Sequence, residues 1–374
     1  MSKIPTVAVL GANGFVGFRL VEWLTFHQLA NVRPIVRSLS SLAKLNKLDL
    51  DKLDYRIADA TLTDNLASQL KDCEILFHCV VGDRQTILKS AEAAYRASAQ
   101  AGVRRLVYLS SAVVHGHNPI QGTHDDSELI TKQPFEYNVS KVMSEHLLRR
   151  LRQDQAVEVV TLRPSIVFGP RSQWFTAQIA SDLLNGKAYL VDEGAGICNT
   201  VYVDNLVAAM WQGAMTIEAA NQDFIITDGE RVTWRDLYSA VADAINVDIM
   251  TVPTLKKELL PEFNRIMKRQ EIIKKVANSP FIRVVKKLAL AKITDAIENK
   301  FLQISASNLG EKKIDDIPTL LPSLDQEIIS LQQCQYVLPI TKAKKLLGYQ
   351  PLISFSEGCH RTQHWIKFAF RLEN

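Results

Sequence analysis

Between Thr6 and Leu162 the chain alternates short, unbroken apolar runs with longer stretches of helical periodicity. That rhythm admits few folds. A strand of consecutive Val, Ile and Leu has no polar face to offer to water, so both of its faces must be covered. Helices between such strands supply the cover, and each forms a crossover between parallel neighbours. The predicted strands are Thr6–Leu10, Val32–Val36, Tyr55–Ala58, Glu74–Cys79, Arg105–Leu109 and Val157–Leu162. The predicted helices cover Phe15–His27, Gln85–Ala101 and Phe135–Leu151. Phe224–Thr227 reads as one more strand. The expectation is an α/β protein built on a doubly wound parallel sheet.

The first strand runs directly into Gly11-Ala12-Asn13-Gly14-Phe15-Val16-Gly17, which opens the first helix. Gly11 permits a tight turn, Gly14 lets the backbone approach a pyrophosphate, and Gly17 lets helix and strand pack closely. The helix N-terminus then offers unpaired N–H groups and its positive dipole end to phosphate. Strand, glycine spacing and helix together predict a Rossmann-like dinucleotide site that includes Asn13, Phe15 and Val16. At the end of the second strand stands Arg37-Ser38, where an NAD site usually carries an acidic residue for the ribose hydroxyl. A guanidinium there suits a 2′-phosphate, so NADP(H) is expected over NAD. Asp59-Ala60 follows the third strand. Asp59 is placed either to accept a hydrogen bond from the adenine amino group or simply to cap its loop.

Tyr137 and Lys141 lie four residues apart at the start of a predicted helix, on one face. A lysine cation beside a phenol favours phenolate and should lower the tyrosine pKa towards neutrality. Ser110-Ser111 ends the fifth strand, at the sheet edge where ligands bind in this fold class. These residues together resemble the extended short-chain dehydrogenase/reductase superfamily, in its epimerase/dehydratase-like group. The motifs that carry the resemblance are Gly11–Gly17, Leu109–Gly116, Tyr137–Lys141, Arg163–Pro170 and Val201–Asp204, with Ile340–Leu352 near the C-terminus. It spans most of the chain except about 251–338. The resemblance implies that Ser111 hydrogen-bonds the reacting oxygen, Tyr137 exchanges the proton, and Lys141 holds the nicotinamide ribose. It also places Cys79 and Val80 beside the adenosine ribose, and Pro164 and Ile166 beside the nicotinamide. Ser110 reads as a strand-end hydrogen bond. His115 and Arg171 are candidate substrate contacts, with a packed loop histidine as the alternative for His115.

Three departures narrow the substrate. Sugar-nucleotide members of the superfamily carry an asparagine where this chain has Ile166, and an arginine where it has Cys198. Neither an alkyl group nor a thiol replaces a charge-assisted phosphate contact. Ala112-Val113 stands where 4,6-dehydratases carry Asp-Glu, so no carboxylate is placed to eliminate water. The expected activity is NADP(H)-dependent interconversion of a ketone and a secondary alcohol on an apolar or carrier-linked small molecule. A sugar-nucleotide epimerase with tightly held NAD and a catalytically silent NAD(P)-binding regulator remain open.

The resemblance divides the chain into a nucleotide-binding domain, residues 1–170 with returning segments near 197–227, and a substrate domain. The latter takes 171–196 and 228–374, with a helical insertion at about 251–320. Between Lys256 and Lys300 there are twelve Lys and Arg against five Asp and Glu, while the whole chain carries only +4. A solvated cap, a membrane-surface helix pair and a docking site for an acidic carrier all suit that segment. The modest net charge argues against a nucleic-acid partner. Five irregularly spaced cysteines without a CxxC pair argue against both a disulfide framework and a metal site. No apolar run reaches the roughly 18 residues of a membrane span and no signal-peptide layout is present, so a cytoplasmic location is expected. The resemblance, with Val142, Leu147 and Leu148, also leads to the expectation of a homodimer through the helices near Gln85–Ala101 and Tyr137–Leu151.

Overall fold

The computed structural model describes residues 4–48, 53–259 and 325–371. The predicted basic insertion lies largely outside the described residues. Seven strands form one sheet: β1 (Thr6–Leu10), β2 (Asn31–Val36), β3 (Arg56–Ile57), β4 (Ile75–His78), β5 (Arg105–Leu109), β6 (Glu158–Pro164) and, after three short strands, β10 (Asp223–Ile226). Their order is β10-β6-β5-β4-β1-β2-β3, and every pairing is parallel. Val7 stands opposite Val32 on one side and Ile75 on the other. β3 keeps only two of its four predicted residues, since an outermost strand is held from one side alone.

Side chains alternate between the two faces of each strand. Val7, Val9, Phe77, Val107, Val160 and Phe224 point to one face. There they meet α1 (Phe15–Phe26) and, later in the chain, α6 (Val203–Met215). Ala8, Leu10, Leu76, Leu106, Tyr108 and Val159 point to the other face. α2 (Thr63–Gln69), α3 (Arg84–Ala101) and α4 (Glu136–Leu151) complete that side. Both faces are dry, which is why the strands carry no polar alternation. Fully burying each such aliphatic side chain contributes about 1.5–3 kcal/mol.

A third core gathers beyond the sheet edge. It unites α5 (Ile179–Leu184), α7 (Trp234–Ala244) and, near the end of the chain, α10 (Phe355–Ala369) around the buried Trp234. The short strands β7 (Ile166–Phe168) and β9 (Thr200–Tyr202) pair beneath it. β8 (Leu190–Val191) pairs with β11 (Thr254–Leu255). The indole of Trp234 donates to Leu331 O at 3.1 Å, tying in α8 (Gln326–Leu331). The C-terminal stretch divides between two cores. Ile340, Ala343, Leu347 and Tyr349, on and flanking α9 (Thr341–Leu347), pack against the sheet with α6 rather than in this third core.

Val142 and Leu148, two of the residues expected to face a partner, are instead spent inside this chain. Val142 packs with Val114 and Leu129, and Leu148 with the α3 side of the sheet. Among the described residues no helix is long and apolar enough to cross a membrane.

Candidate active site

Because all seven strands are parallel, their C-terminal ends share one edge. Gly11, Arg37, Cys79 and Ser110 immediately follow β1, β2, β4 and β5, and Asp59 lies just past β3. The strand order reverses between β1 and β4, which opens a crevice there.

The β1–α1 turn is made by backbone. Gly11 has a φ of +83°, and its N–H and that of Ala12 both point at Ile35 O, at 3.2 and 3.4 Å. A Cβ on Gly11 would lie 2.9 Å from Cys79 O, and one on Gly17 would lie 2.3 Å from Gly11 O. α1 begins on Gly14 without a side-chain cap, so the N–H groups of Phe15, Val16 and Gly17 have no side chain competing for them. This cradle fits the pyrophosphate of a dinucleotide. Asn13 sits partly exposed at its rim.

Arg37 is exposed and its charge reaches Asp59. Asp59 caps its loop: its Oδ1 accepts from the Thr61 N–H at 2.8 Å and the Thr61 hydroxyl at 2.7 Å. Those bonds hold its carboxyl below the usual range. Ser38 is within 2.9 and 3.1 Å of the Ser40 and Ser41 hydroxyls. Ala60 and Val80 are partly buried. Burial pushes the Cys79 thiol up to about 12, so it lines the crevice as an apolar group.

α4 starts at Glu136 and presents Tyr137 and Lys141 on one face towards the end of β5. Ser111 N-caps a short 3-10 turn, Ala112–His115, accepting from the Val113 N–H at 3.4 Å. Lys141 is 1% exposed, and its Nζ donates to Leu109 O at 2.8 Å. That nitrogen stands 5.0 Å from the Tyr108 ring centre and 5.9 Å from that of Tyr137. The structure corrects one electrostatic expectation. Burial pushes the Tyr137 phenol up to about 12 rather than down; the neighbouring Ser111 side chain pulls it back and Glu327 pushes it further up. Lys141 is the group brought near neutrality, because burial lowers it to about 8 against the opposing pull of Glu145 and Cys79.

Residues 7–226 match the NAD dependent epimerase/dehydratase family. The chain belongs to this family. It is accordingly an enzyme of the oxidoreductase type. UDP-glucose 4-epimerase of Vibrio cholerae is 27% identical to it, over 67% of this chain and 79% of that protein. The 3beta-hydroxysteroid-dehydrogenase/decarboxylase isoform 2 of Arabidopsis thaliana is 23% identical over 95% of this chain and 60% of its own length. Among solved structures, UDP-glucuronic acid 4-epimerase from Bacillus cereus in complex with NAD superposes with a TM-score of 0.68 at 17% identity. That likeness covers 98% of this chain and 99% of the other.

Within this epimerase/dehydratase fold the remaining candidates fall into place unevenly. Pro164 and Ile166 are buried, and the Ile166 N–H is spent on Asn199 O at 3.0 Å. Cys198 is wholly buried. His115 is packed inside the protein. It is 2% exposed, its Nε2 lies 3.3 Å from an Arg163 guanidinium nitrogen, and burial with that cation pushes it down to about 4. Arg171 adopts a φ of +72° and stacks on Phe18, 4.1 Å from the ring centre. It therefore stands beside the first turns of α1, on the cofactor side of the crevice.

Three side chains at the site were not singled out from sequence. Ser110 Oγ donates to Glu145 Oε1 at 2.5 Å. Glu145 lies four residues beyond Lys141, so the same helical spacing pointed to it. His117 stacks on Phe135 with 4.5 Å between ring centres, and its Nε2 is 2.8 Å from Asn138 Nδ2 and 3.8 Å from Glu327 Oε1. Nothing in the sequence signals that Glu327, on α8, returns to the mouth of this site.

Proposed function

We propose that this protein moves a hydride between NADP(H) and a ketone or secondary alcohol on an apolar small molecule. The observation that carries the reading is the convergence of Ser111, Tyr137 and Lys141 on the edge that also holds the β1–α1 cradle. When bound, the nicotinamide supplies or accepts the hydride. Tyr137 gives its phenolic proton to the reacting oxygen on reduction, and Ser111 donates a second hydrogen bond to it. Two donors on one developing oxyanion stabilise it by about 3 kcal/mol each in a dry, preorganised site. Lys141, charged below about pH 8, supplies the compensating cation.

Apolar substrate chemistry is favoured by Ile166 and Cys198 and by the rim of the crevice. Val81 and Ile120, in loops after β4 and β5, and Trp174, in the helical turn Gln173–Gln178 that leads into α5, are each more than two-thirds exposed. The steroid dehydrogenase relative supports the same class, and the UDP-glucose epimerase relative supports the alternative. Arg37, with no acidic residue at its position, supports NADP(H). For a homodimer through α3 and α4, the exposed Met143 and the partly buried Val139, Leu147 and Leu151 are apolar groups on the α4 surface; a monomeric mass by light scattering rejects that pairing.

The test is a paired assay. NADPH and NADH are offered with long-chain 3-oxo compounds and a 3-ketosteroid, and in a separate arm UDP-glucose is offered with NAD. Ketone-dependent oxidation of NADPH supports the proposal. Galactose epimer formation with no net cofactor turnover replaces it with the epimerase reading.

A further inference from the structure

One fully buried carboxylate has no part in the chemistry just described. Glu145 is 1% exposed, in the third turn of α4. A carboxylate without water is costly by several kcal/mol unless paired and hydrogen-bonded. Here it is both. Its Oε1 accepts from Ser110 Oγ at 2.5 Å and Arg163 Nε at 3.0 Å, and its Oε2 from a second Arg163 nitrogen at 2.7 Å. Arg163 has no exposed surface and also donates to Asp125 O at 2.5 Å and to Asp223 at 3.3 Å. Arg149 approaches Glu145 at 3.7 Å and is held by Asp223 at 2.6 Å.

The register of these contacts is more telling than their number. Tyr137, Lys141 and Glu145 follow one another at four-residue steps, on one face of α4. Leu109, Ser110 and Ser111 are consecutive at the end of β5. Lys141 takes hold of Leu109 O, Glu145 takes hold of the Ser110 hydroxyl, and Tyr137 is left beside Ser111. Two bolts thus fix the helix against the strand end, next to the pair that meets substrate. Of the charged groups around Lys141, Glu145 is the carboxylate; Tyr108, Tyr137, the Cys79 thiol and His78 are the other titratable neighbours.

We propose that Glu145 is a positioning residue of the active site: through Ser110 it sets where Ser111 stands against Tyr137. One helical turn beyond Lys141 on the same face of α4, its charge also works against the burial that lowers the Lys141 ammonium. The inference rests on the reading of Ser111, Tyr137 and Lys141 as the reacting set. It assigns two separable functions to one carboxylate, and different substitutions divide them. Ser110→Ala removes the bolt and leaves the charge. Glu145→Gln removes the charge and keeps the shape. Glu145→Asp keeps the charge, withdraws the bolt by one methylene, and leaves Arg163 a partner should Glu145→Gln fail to fold.

The test has a substrate-free arm and a kinetic arm. In the first, the protein is labelled with [13Cε]lysine, the buried resonance is assigned with Lys141→Met, and its titration is followed by NMR. Glu145→Gln should move the Lys141 midpoint down by about one pH unit or more, a tenfold change in protonation. Ser110→Ala and Glu145→Asp should leave it near the wild-type value. In the second arm, NADPH turnover is measured on whichever ketone of the panel reacts fastest. Ser110→Ala and Glu145→Asp should lower kcat about tenfold with KM for NADPH little changed, the mark of an effect on the reacting geometry. A Lys141 midpoint that stays put in Glu145→Gln overturns the electrostatic half. Wild-type kcat in Ser110→Ala overturns the positioning half. Tyr137→Phe runs alongside: if it keeps turnover, the reading of the reacting set fails, whatever Glu145 does.

Discussion

Two turns on the same sheet edge do different work by different means. The β1–α1 turn is built from backbone: seven consecutive residues, glycine where a Cβ has no room, and N–H groups at a helix start. The β5–α4 junction acts through side chains contributed by a strand end and a helix far apart in the chain, held by buried ion pairs. The first is sensitive to added atoms, the second to removed ones. A local backbone device needs only its own residues in order. A side-chain device needs the whole α3–α4 side of the sheet to pack before its members meet.

The largest expected effect tests the first turn. In Gly17→Ala the new methyl would sit 2.3 Å from Gly11 O, so strand and helix must separate. Cofactor affinity should fall by more than about 100-fold and the melting temperature should drop, by calorimetry and thermal unfolding. Unchanged affinity would mean that the turn is not a tight backbone cradle. Tyr137→Phe tests the second turn by deletion of one oxygen. Turnover should fall about 100-fold or more while cofactor affinity is kept, because the ring still packs. Parallel losses of both would erase the distinction between the two devices.

Arg37→Ala sharpens the comparison, since it removes a side-chain contact from the backbone-built site. NADPH affinity should weaken by about 10- to 100-fold, the loss of one charge-assisted contact, with NADH unaffected. Tighter NADH than NADPH binding in the wild-type protein removes the NADP(H) assignment. The smallest effect concerns acid. Burial holds His115 down at about 4 and His78 at about 3. Below the ordinary histidine pKa of about 6.5 the unfolded chain therefore takes up protons that the native one refuses. Stability should fall as pH drops from about 6.5 towards 4, by about 1–2 kcal/mol per histidine near pH 5. Urea unfolding at pH 7 and pH 5 measures it, and His115→Asn should flatten the slope. An identical slope in that variant would show that the imidazole is not the group responsible.

Much of this fold is legible in the amino-acid sequence. The strand rhythm and the glycine spacing are short-range signals, and β1, β5 and the start of α1 fall where those signals place them. Tyr137 and Lys141 were legible because helix geometry converts a four-residue step into a shared face. For His115 the sequence left a substrate contact and a packed loop histidine open, and the structure packs it. Its neighbours in sequence say nothing of Arg163, which packs against it from β6. Val142 and Leu148 looked like interface residues for the same reason: apolar spacing on a helix does not tell which apolar surface covers it. The direction of the Tyr137 shift was missed because proximity to Lys141 is a matter of spacing, whereas the dominating burial is a matter of everything packed around the phenol.

The amino-acid sequence by itself determined the parallel sheet, the backbone turn at Gly11–Gly17 and the shared helical face of Tyr137 and Lys141. Each depends on residues within a few turns of one another, where covalent geometry dictates the outcome. Only the tertiary structure decided that Glu145 bolts α4 to β5 through Ser110, that Glu327 returns from α8 to the mouth of the site, and that Ile340–Tyr349 closes the sheet's core. Those outcomes depend on which desolvated groups find partners, and burial is a property of the packed chain, not of any segment of it.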